Sequence, residues 1–320
     1  MTIPFRASCL LAVSLTCTCA LAQQQAFPTR PVRLVVAFSP GGTPDTLARM
    51  IGPKLSDAWK QPVVIENRPG AGGTIAAMIV AKAAPDGYTL LQTSPAFAIT
   101  AALQPNLPYD PIKDFAGVTQ IGYSTSVLLV APGLGVKSVK ELIALANTRK
   151  LLFGSAGAGS ATHLNAERFT HAAGIKAVHV AFKGQPEFLL EIVAGRVHYG
   201  VAGLGPSSGF IKDGRLVPLA VAMPQRVPTL PNVPAAPEVA RGWGRDGSQA
   251  LLAPARTPRA ILNQIAGEVA RVLALPELKE RFEAVDFNVA PTKPEEFDKI
   301  LRSDIETFRQ VGKAAGLIPK

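Results

Sequence analysis

Cysteine is nearly absent from this chain of 320 residues: Cys9, Cys17 and Cys19 are all it has, and all lie in the first 19 positions. Those positions read as an export leader. Arg6 supplies a positive start, Ala7 to Ala20 are small or apolar, and Ala20-Leu21-Ala22 forms the small-x-small pattern that signal peptidase cuts. A signal peptide over residues 1–22 is therefore expected, and with it a periplasmic product. The apolar stretch is too short for a membrane anchor, which needs roughly 20 residues, and the residues before Cys17 and Cys19 do not form a lipoprotein signal. Cleavage leaves a cysteine-free chain, which excludes disulfides, thiolate catalysis and cysteine-bound metal.

Aromatic residues make up only 6%, and no apolar run after residue 22 is long enough to cross a bilayer. Charge is modest as well, 18%, with 33 Lys and Arg against 23 Asp and Glu. Losing Arg6 with the leader takes the formal net charge from +10 to +9. The basic residues are scattered, which argues against nucleic acid as a partner and for a diffuse field that gathers small anions. What is plentiful is hydrophobic side chain, 48%, punctuated by 28 Gly and 28 Pro. That composition supports a sizeable core held by packing alone.

The pattern along the chain is α/β. Apolar strand-like runs at Val32 to Phe38, Val63 to Glu66, Tyr88 to Gln92, Leu151 to Gly154, Val178 to Phe182 and His198 to Ala202 each end in a Gly-, Ser- or Pro-rich turn. Helical patterns follow most of these turns, as expected for parallel sheets. A polar, Pro-broken stretch from Gln104 to Asp114 separates two such series, so two lobes are expected. In an open parallel sheet these turns face the crevice where ligands bind, and helix starts there offer unpaired N–H groups to a carboxylate or phosphate. Glycine turns also serve purely as connections.

Enzyme motifs do not close. Phe153-Gly154-Ser155-Ala156-Gly157 lacks the first glycine of a nucleophile elbow, and Gly157-Ala158-Gly159-Ser160-Ala161-Thr162 ends in Thr where a dinucleotide fingerprint needs Gly or Ala. The four histidines, His163, His171, His179 and His198, have no metal-binding spacing. His163 falls in the first turn of a helix and can either donate to an anion or be an ordinary surface residue. Asp45 and Arg49 are spaced for a helix ion pair. Arg68 and Lys183 lie in loops at strand ends, as anion attractors or as solvated charges.

Taken in order, several segments resemble the receptors of tripartite tricarboxylate transporters, also called Bug-type receptors. They are Phe27-Pro28-Thr29-Arg30-Pro31-Val32 with Phe38-Ser39-Pro40-Gly41-Gly42 and Asp45, Glu66-Asn67-Arg68-Pro69-Gly70-Ala71-Gly72-Gly73, Pro85-Asp86-Gly87-Tyr88, Leu107-Pro108-Tyr109-Asp110-Pro111, Gly154-Ser155-Ala156-Gly157, Lys183-Gly184 and Leu251-Ala253-Pro254. The resemblance implies a two-lobed periplasmic binding protein of the Venus-flytrap, type II-like kind. Its lobes would be residues 23–125 with 248–320, and 126–247, with a ligand cleft between them.

The family holds its ligand carboxylate mostly with backbone N–H groups, hydroxyls and water. Carried over, the first-lobe loop is Phe38, Ser39, Gly41, Gly42 and Thr43, with Thr93 and Ser94 on a neighbouring strand end. The second-lobe loop is Ser155, Ala156, Gly157, Ser160 and His163. Phe182 replaces a usual Tyr, His198 replaces the usual Asp of Gly-x-Val-Asp, and Ser248-Gln249-Ala250 stands where Trp-x-Gly is usual. The implied function is capture of a small organic acid and its delivery to permease subunits, with no cofactor and no catalysis. Signalling to a sensor kinase is an alternative, and an exported hydrolase a weaker one, for want of a nucleophile, base and oxyanion set.

Overall fold

Strand β1 (Val32–Val36) is buried except at Arg33, and alternate residues serve opposite faces: Leu34 and Val36 pack into one core, Val35 and Ala37 into another. Such strands belong in a sheet covered on both faces. The computed structural model describes residues 27–318 apart from 39, 42, 183, 245–246, 285 and 315. The leader read over residues 1–22, together with Ser39, Gly42 and Lys183, lies outside the described residues.

After β1 come α1 (Thr43–Trp59), β2 (Val63–Asn67), α2 (Thr74–Ala81), β3 (Thr89–Thr93), α3 (Ala96–Leu103) and β4 (Phe115–Ser124). The chain then enters a second unit: β5 (Ser126–Val130), α4 (Val139–Ala146), β6 (Leu151–Ser155), α5 (Ala161–Ala172), β7 (Ala177–Ala181), α6 (Gln185–Val193), β8 (Tyr199–Gly203), α7 (Leu204–Lys212), β9 (Val217–Val221) and the short α8 (Ala236–Val239). It returns as β10 (Gln249–Pro254), α9 (Arg259–Leu273), α10 (Pro276–Ala284), β11 (Phe287–Val289) and α11 (Pro294–Ala314).

Two sheets result, ordered β11-β4-β10-β3-β1-β2 and β7-β6-β8-β5-β9. Parallel pairing holds for β2-β1-β3 and β7-β6-β8, while β10 runs antiparallel to β3 and β4, and β5 antiparallel to β8 and β9. The sheets are thus mixed where the sequence pattern suggested parallel ones. The reason is the crossing itself. β4 runs up to the gap between the sheets, so β5 must run away from it, and β10 re-enters the first sheet from the same side. Thr125, the residue between β4 and β5, is tied to both halves: its N–H donates to Asp286 O (3.2 Å) and its carbonyl accepts from Leu204 N (2.8 Å).

Each sheet carries a core on both faces. α1, α9 and α10 cover one face of the first sheet, and α2, α3 and α11 the other. α4 and α5 cover one face of the second, α6 the other. Leu164 of α5, wholly buried, packs with Phe308 and Val311 of α11, so the second lobe leans on the first there. Among the described residues no helix is long and apolar enough to cross a membrane.

Gly122 in β4 pairs with Gln249 on one side and Val289 on the other, and a Cβ there would come within 2.0 Å of Asn288 O. Gly122→Ala is expected to lower stability by about 2 kcal/mol or more, read by urea unfolding. An unchanged midpoint would show that β11 does not press on β4.

Candidate functional site

The parallel strands β1, β3, β6 and β8 all end at the gap between the sheets, where β5 and β10 begin. A cavity of about 590 Å³ occupies that gap. Gly41, Thr43, Ser94, Pro95, Ser124, Gln249, Asp286 and Phe287 line it from the first lobe, and Ser126, Ala161, Thr162, Gln185 and Gly203 to Pro206 from the second. Helices α1, α5, α6 and α7 each present their first turn here, and Pro95 just precedes α3. Helix starts carry partial positive charge and unpaired N–H groups, so the wall accepts anions. Asp286 is the one charged side chain among the described lining residues.

On the first lobe the loop from β1 to α1 is braced by Asp45, which is 2% exposed. Its carboxylate accepts from Gly41 N (2.9 Å), Arg49 Nε (2.9 Å) and Asn67 Nδ2 (2.8 Å), and the Asn67 amide also donates to Phe38 O (3.0 Å). Burial alone would raise the Asp45 pKa, but the bonds from Arg49, Gly41 and Asn67 prevail and hold it below the usual value. Gly41 has φ +83°, a conformation that suits glycine. Ser94 Oγ accepts from Ala96 N (3.2 Å) at the start of α3. Arg68 is no free anion attractor, since it pairs with Glu66. Arg33 and Arg68 together hold the Glu66 carboxyl down to about 2.

On the second lobe Ser160 caps α5, accepting from His163 N (3.2 Å), and Thr162 Oγ1 accepts from Ala156 N (2.9 Å). Gly157 and Gly159 turn the loop at φ +118° and +74°. Gln185 grips the end of β8 with both ends of its amide, Nε2 donating to Gly203 O (3.2 Å) and Oε1 accepting from Gly203 N (3.3 Å).

Of the residues expected to bind ligand, Gly41, Thr43 and Ser94 line the cavity. Thr93 is buried and pairs with Ala250. Phe38 and Ala156 pack against the cores, and Ser155 is wholly buried. Gly157 and Ser160 shape the loop behind Thr162. His163 is not among the cavity-lining residues. It is 1% exposed, its Nδ1 accepts from Gly159 N (3.0 Å), and its ring stacks on His179 at 3.6 Å between centroids. With Nδ1 an acceptor, the ring proton resides on Nε2, which faces Glu167 Oε1 at 3.5 Å.

Phe182 and His198 also lie away from the cavity lining. Phe182 is absent from the cavity lining and packs on the second-lobe core, its N–H donating to Ser155 O (3.0 Å). His198 precedes β8, whereas the cavity lies at the far end of that strand, on the order of 15 Å away. There its Nδ1 accepts from Leu152 N (2.8 Å).

Lining residues that the sequence did not single out as ligand contacts include two groups. Gln185 and Gly203 to Pro206 follow strand-end turns, the same signal that marked the others. Ser124 to Ser126, Gln249, Asp286 and Phe287 belong to strands starting or stopping at the crossing, which no local pattern marks. Among the described residues no cluster of three or more His, Cys, Asp or Glu is arranged to hold a metal ion.

Two expectations follow from the braces. Asp45→Ala removes three hydrogen bonds and is expected to cost about 2 kcal/mol in urea unfolding; no loss would mean that the loop is held otherwise. Burial, with His163 beside it, lowers the His179 pKa from 6.5 to about 4. The unfolded chain therefore takes up this proton first, so the contribution is complete above 6.5 and is lost as pH falls toward 4. His179→Gln should flatten thermal stability against pH across that window, and an unaltered slope would assign the effect elsewhere.

A family model described as the tripartite tricarboxylate transporter family receptor matches residues 47–317. A UPF0065 protein of Bordetella bronchiseptica is 33% identical over 299 residues, covering 93% of this chain and 89% of its own. The R. palustris protein Rpa4515, solved with adipate, superposes with a TM-score of 0.76 at 33% identity, over 92% of this chain and all of that one (100%). The periplasmic binding protein BugD superposes with a TM-score of 0.73 at 26% identity, over 92% of this chain and 100% of its own. The chain therefore belongs to the tripartite tricarboxylate transporter receptor family, whose members are periplasmic solute-binding proteins with two α/β lobes.

Proposed function

We propose that this receptor captures a small organic acid in the gap between its lobes and delivers it to the membrane permease of a tripartite tricarboxylate transporter. The observation that carries the reading is the convergence of the α1, α5, α6 and α7 starts on one cavity, a wall of neutral donors suited to a carboxylate. Adipate bound to the R. palustris relative supports the same ligand class. The lobes are taken as residues 23–125 with 248–320, and 126–247, since the chain changes sheet between β4 and β5 and again before β10.

In this reading Gly41, Thr43 and Ser94 face the acid from one side, and Thr162, Gln185 and Gly203 from the other. Ser155, Ala156, Gly157, Ser160 and His163 keep the second-lobe loop in shape. A ligand touching both lobes favours the closed arrangement over the open one by its extra contacts, and closure presents one surface to the permease. Binding rather than catalysis is favoured by the setting of the serine hydroxyl that meets a histidine ring among the described residues, Ser155 Oγ and His179 Nε2 at 2.6 Å, because Ser155 is wholly enclosed.

Calorimetry of the purified chain against mono-, di- and tricarboxylates is expected to give saturable binding of at least one; no heat and no thermal shift across the panel would contradict the reading. Ser94→Asp can still accept from Ala96 N but places a negative charge in the cavity. Its affinity for that acid is expected to fall at least ~30-fold with stability unchanged, and undiminished affinity would move the site elsewhere. Cells lacking the chain should lose uptake of the acid; unchanged uptake would favour signalling to a sensor kinase.

A further inference from the structure

The cavity wall is chemically lopsided. Helix starts supply donors on one side, but the first-lobe wall where β10 and β11 begin offers acceptors. Gln249 is 6% exposed, lines the cavity, and its Oε1 is buried with no hydrogen-bond partner among the described residues. A buried carbonyl oxygen without a donor is unfavourable, and a ligand that supplies the donor removes that cost. Asp286 stands two strands away across β4 and three residues further along it, about 14 Å between Cα atoms. Its carboxylate is hydrogen-bonded by Thr229, and Lys212 acts on it electrostatically. Burial outweighs both and raises its pKa.

Resting on the receptor reading above, we propose that Gln249 and Asp286 form the acceptor end of the ligand site. The receptor then selects carboxylates that carry an O–H or N–H donor, hydroxy- or amino-substituted monoacids, over plain dicarboxylates. One carboxylate is received by the helix starts. A second carboxylate at the other end meets a carbonyl oxygen and a negative charge, whereas a hydroxyl or ammonium satisfies them. The amide of Gln249 can in principle turn over and donate, which would suit a second carboxylate instead. Substitution by Glu removes that option, because an ionised carboxylate only accepts.

The test uses four acids with three methylenes and different far ends: pentanoate, 4-hydroxybutyrate, 4-aminobutyrate and glutarate. For the full chain, calorimetry is expected to rank 4-hydroxybutyrate or 4-aminobutyrate at least ~10-fold tighter than pentanoate and glutarate. The stronger of the two tells which donor is used. Gln249→Leu is expected to erase that advantage, and Gln249→Glu to preserve it, most clearly for 4-aminobutyrate. Asp286 has φ +52°, which Asn tolerates well, so Asp286→Asn is a mild change. It should raise glutarate affinity at least ~5-fold. Thermal unfolding confirms that each variant folds.

Tighter binding of glutarate or pentanoate by the unsubstituted protein would overturn the proposal and leave the receptor reading intact. So would an equal loss of all four acids in Gln249→Glu. Failure of all four to bind would count against both.

Discussion

The structure turns on the direction in which its strands run. Because β1 and β3 of one sheet and β6 and β8 of the other all end at the same gap, the helices that follow must begin there. Unpaired N–H groups and the positive ends of helix dipoles are thereby gathered without any cationic side chain among the described lining residues. That matters for a protein that must release its ligand as well as hold it. A buried arginine clamp would form strong charged bonds that are costly to break, whereas several neutral N–H groups and hydroxyls share the anion in smaller increments.

Keeping those helix starts in register needs braces, and the chain provides a different one in each lobe. Asp45 gathers Gly41, Arg49 and Asn67 behind the first loop. The stacked rings of His163 and His179, one bonded to Gly159 and the other to Ser155, support the second. These polar residues act through the backbone they hold. The lobes meet through Leu164 of α5, which shares a buried apolar cluster with Phe308 and Val311 of α11.

Much of this was legible in the sequence because glycine-rich turns after short apolar runs have a local cause: each must end a strand and start a helix. Gly41, Thr43 and Ser94, which line the cavity, sit at such turns, and Gln185 and Gly203 carry the same signal. His163 lies off the cavity because first-turn position says nothing about which way a ring points, and here it points inward to accept from Gly159. His198 shares a strand with the cavity-lining Gly203, but at the wrong end. Gln249 and Asp286 depend on how β10 and β11 thread back beside β4, a long-range pairing that no local pattern encodes.

The most direct test of the central claim is a crystal structure of the protein with a bound acid. The account predicts a carboxylate within hydrogen-bond distance, roughly 3 Å, of N–H groups at the starts of two or more of α1, α5, α6 and α7, with both lobes in contact with the ligand. An acid seated away from that gap, for instance in the groove between α3 and α11 beside Arg309 and Lys313, would contradict it.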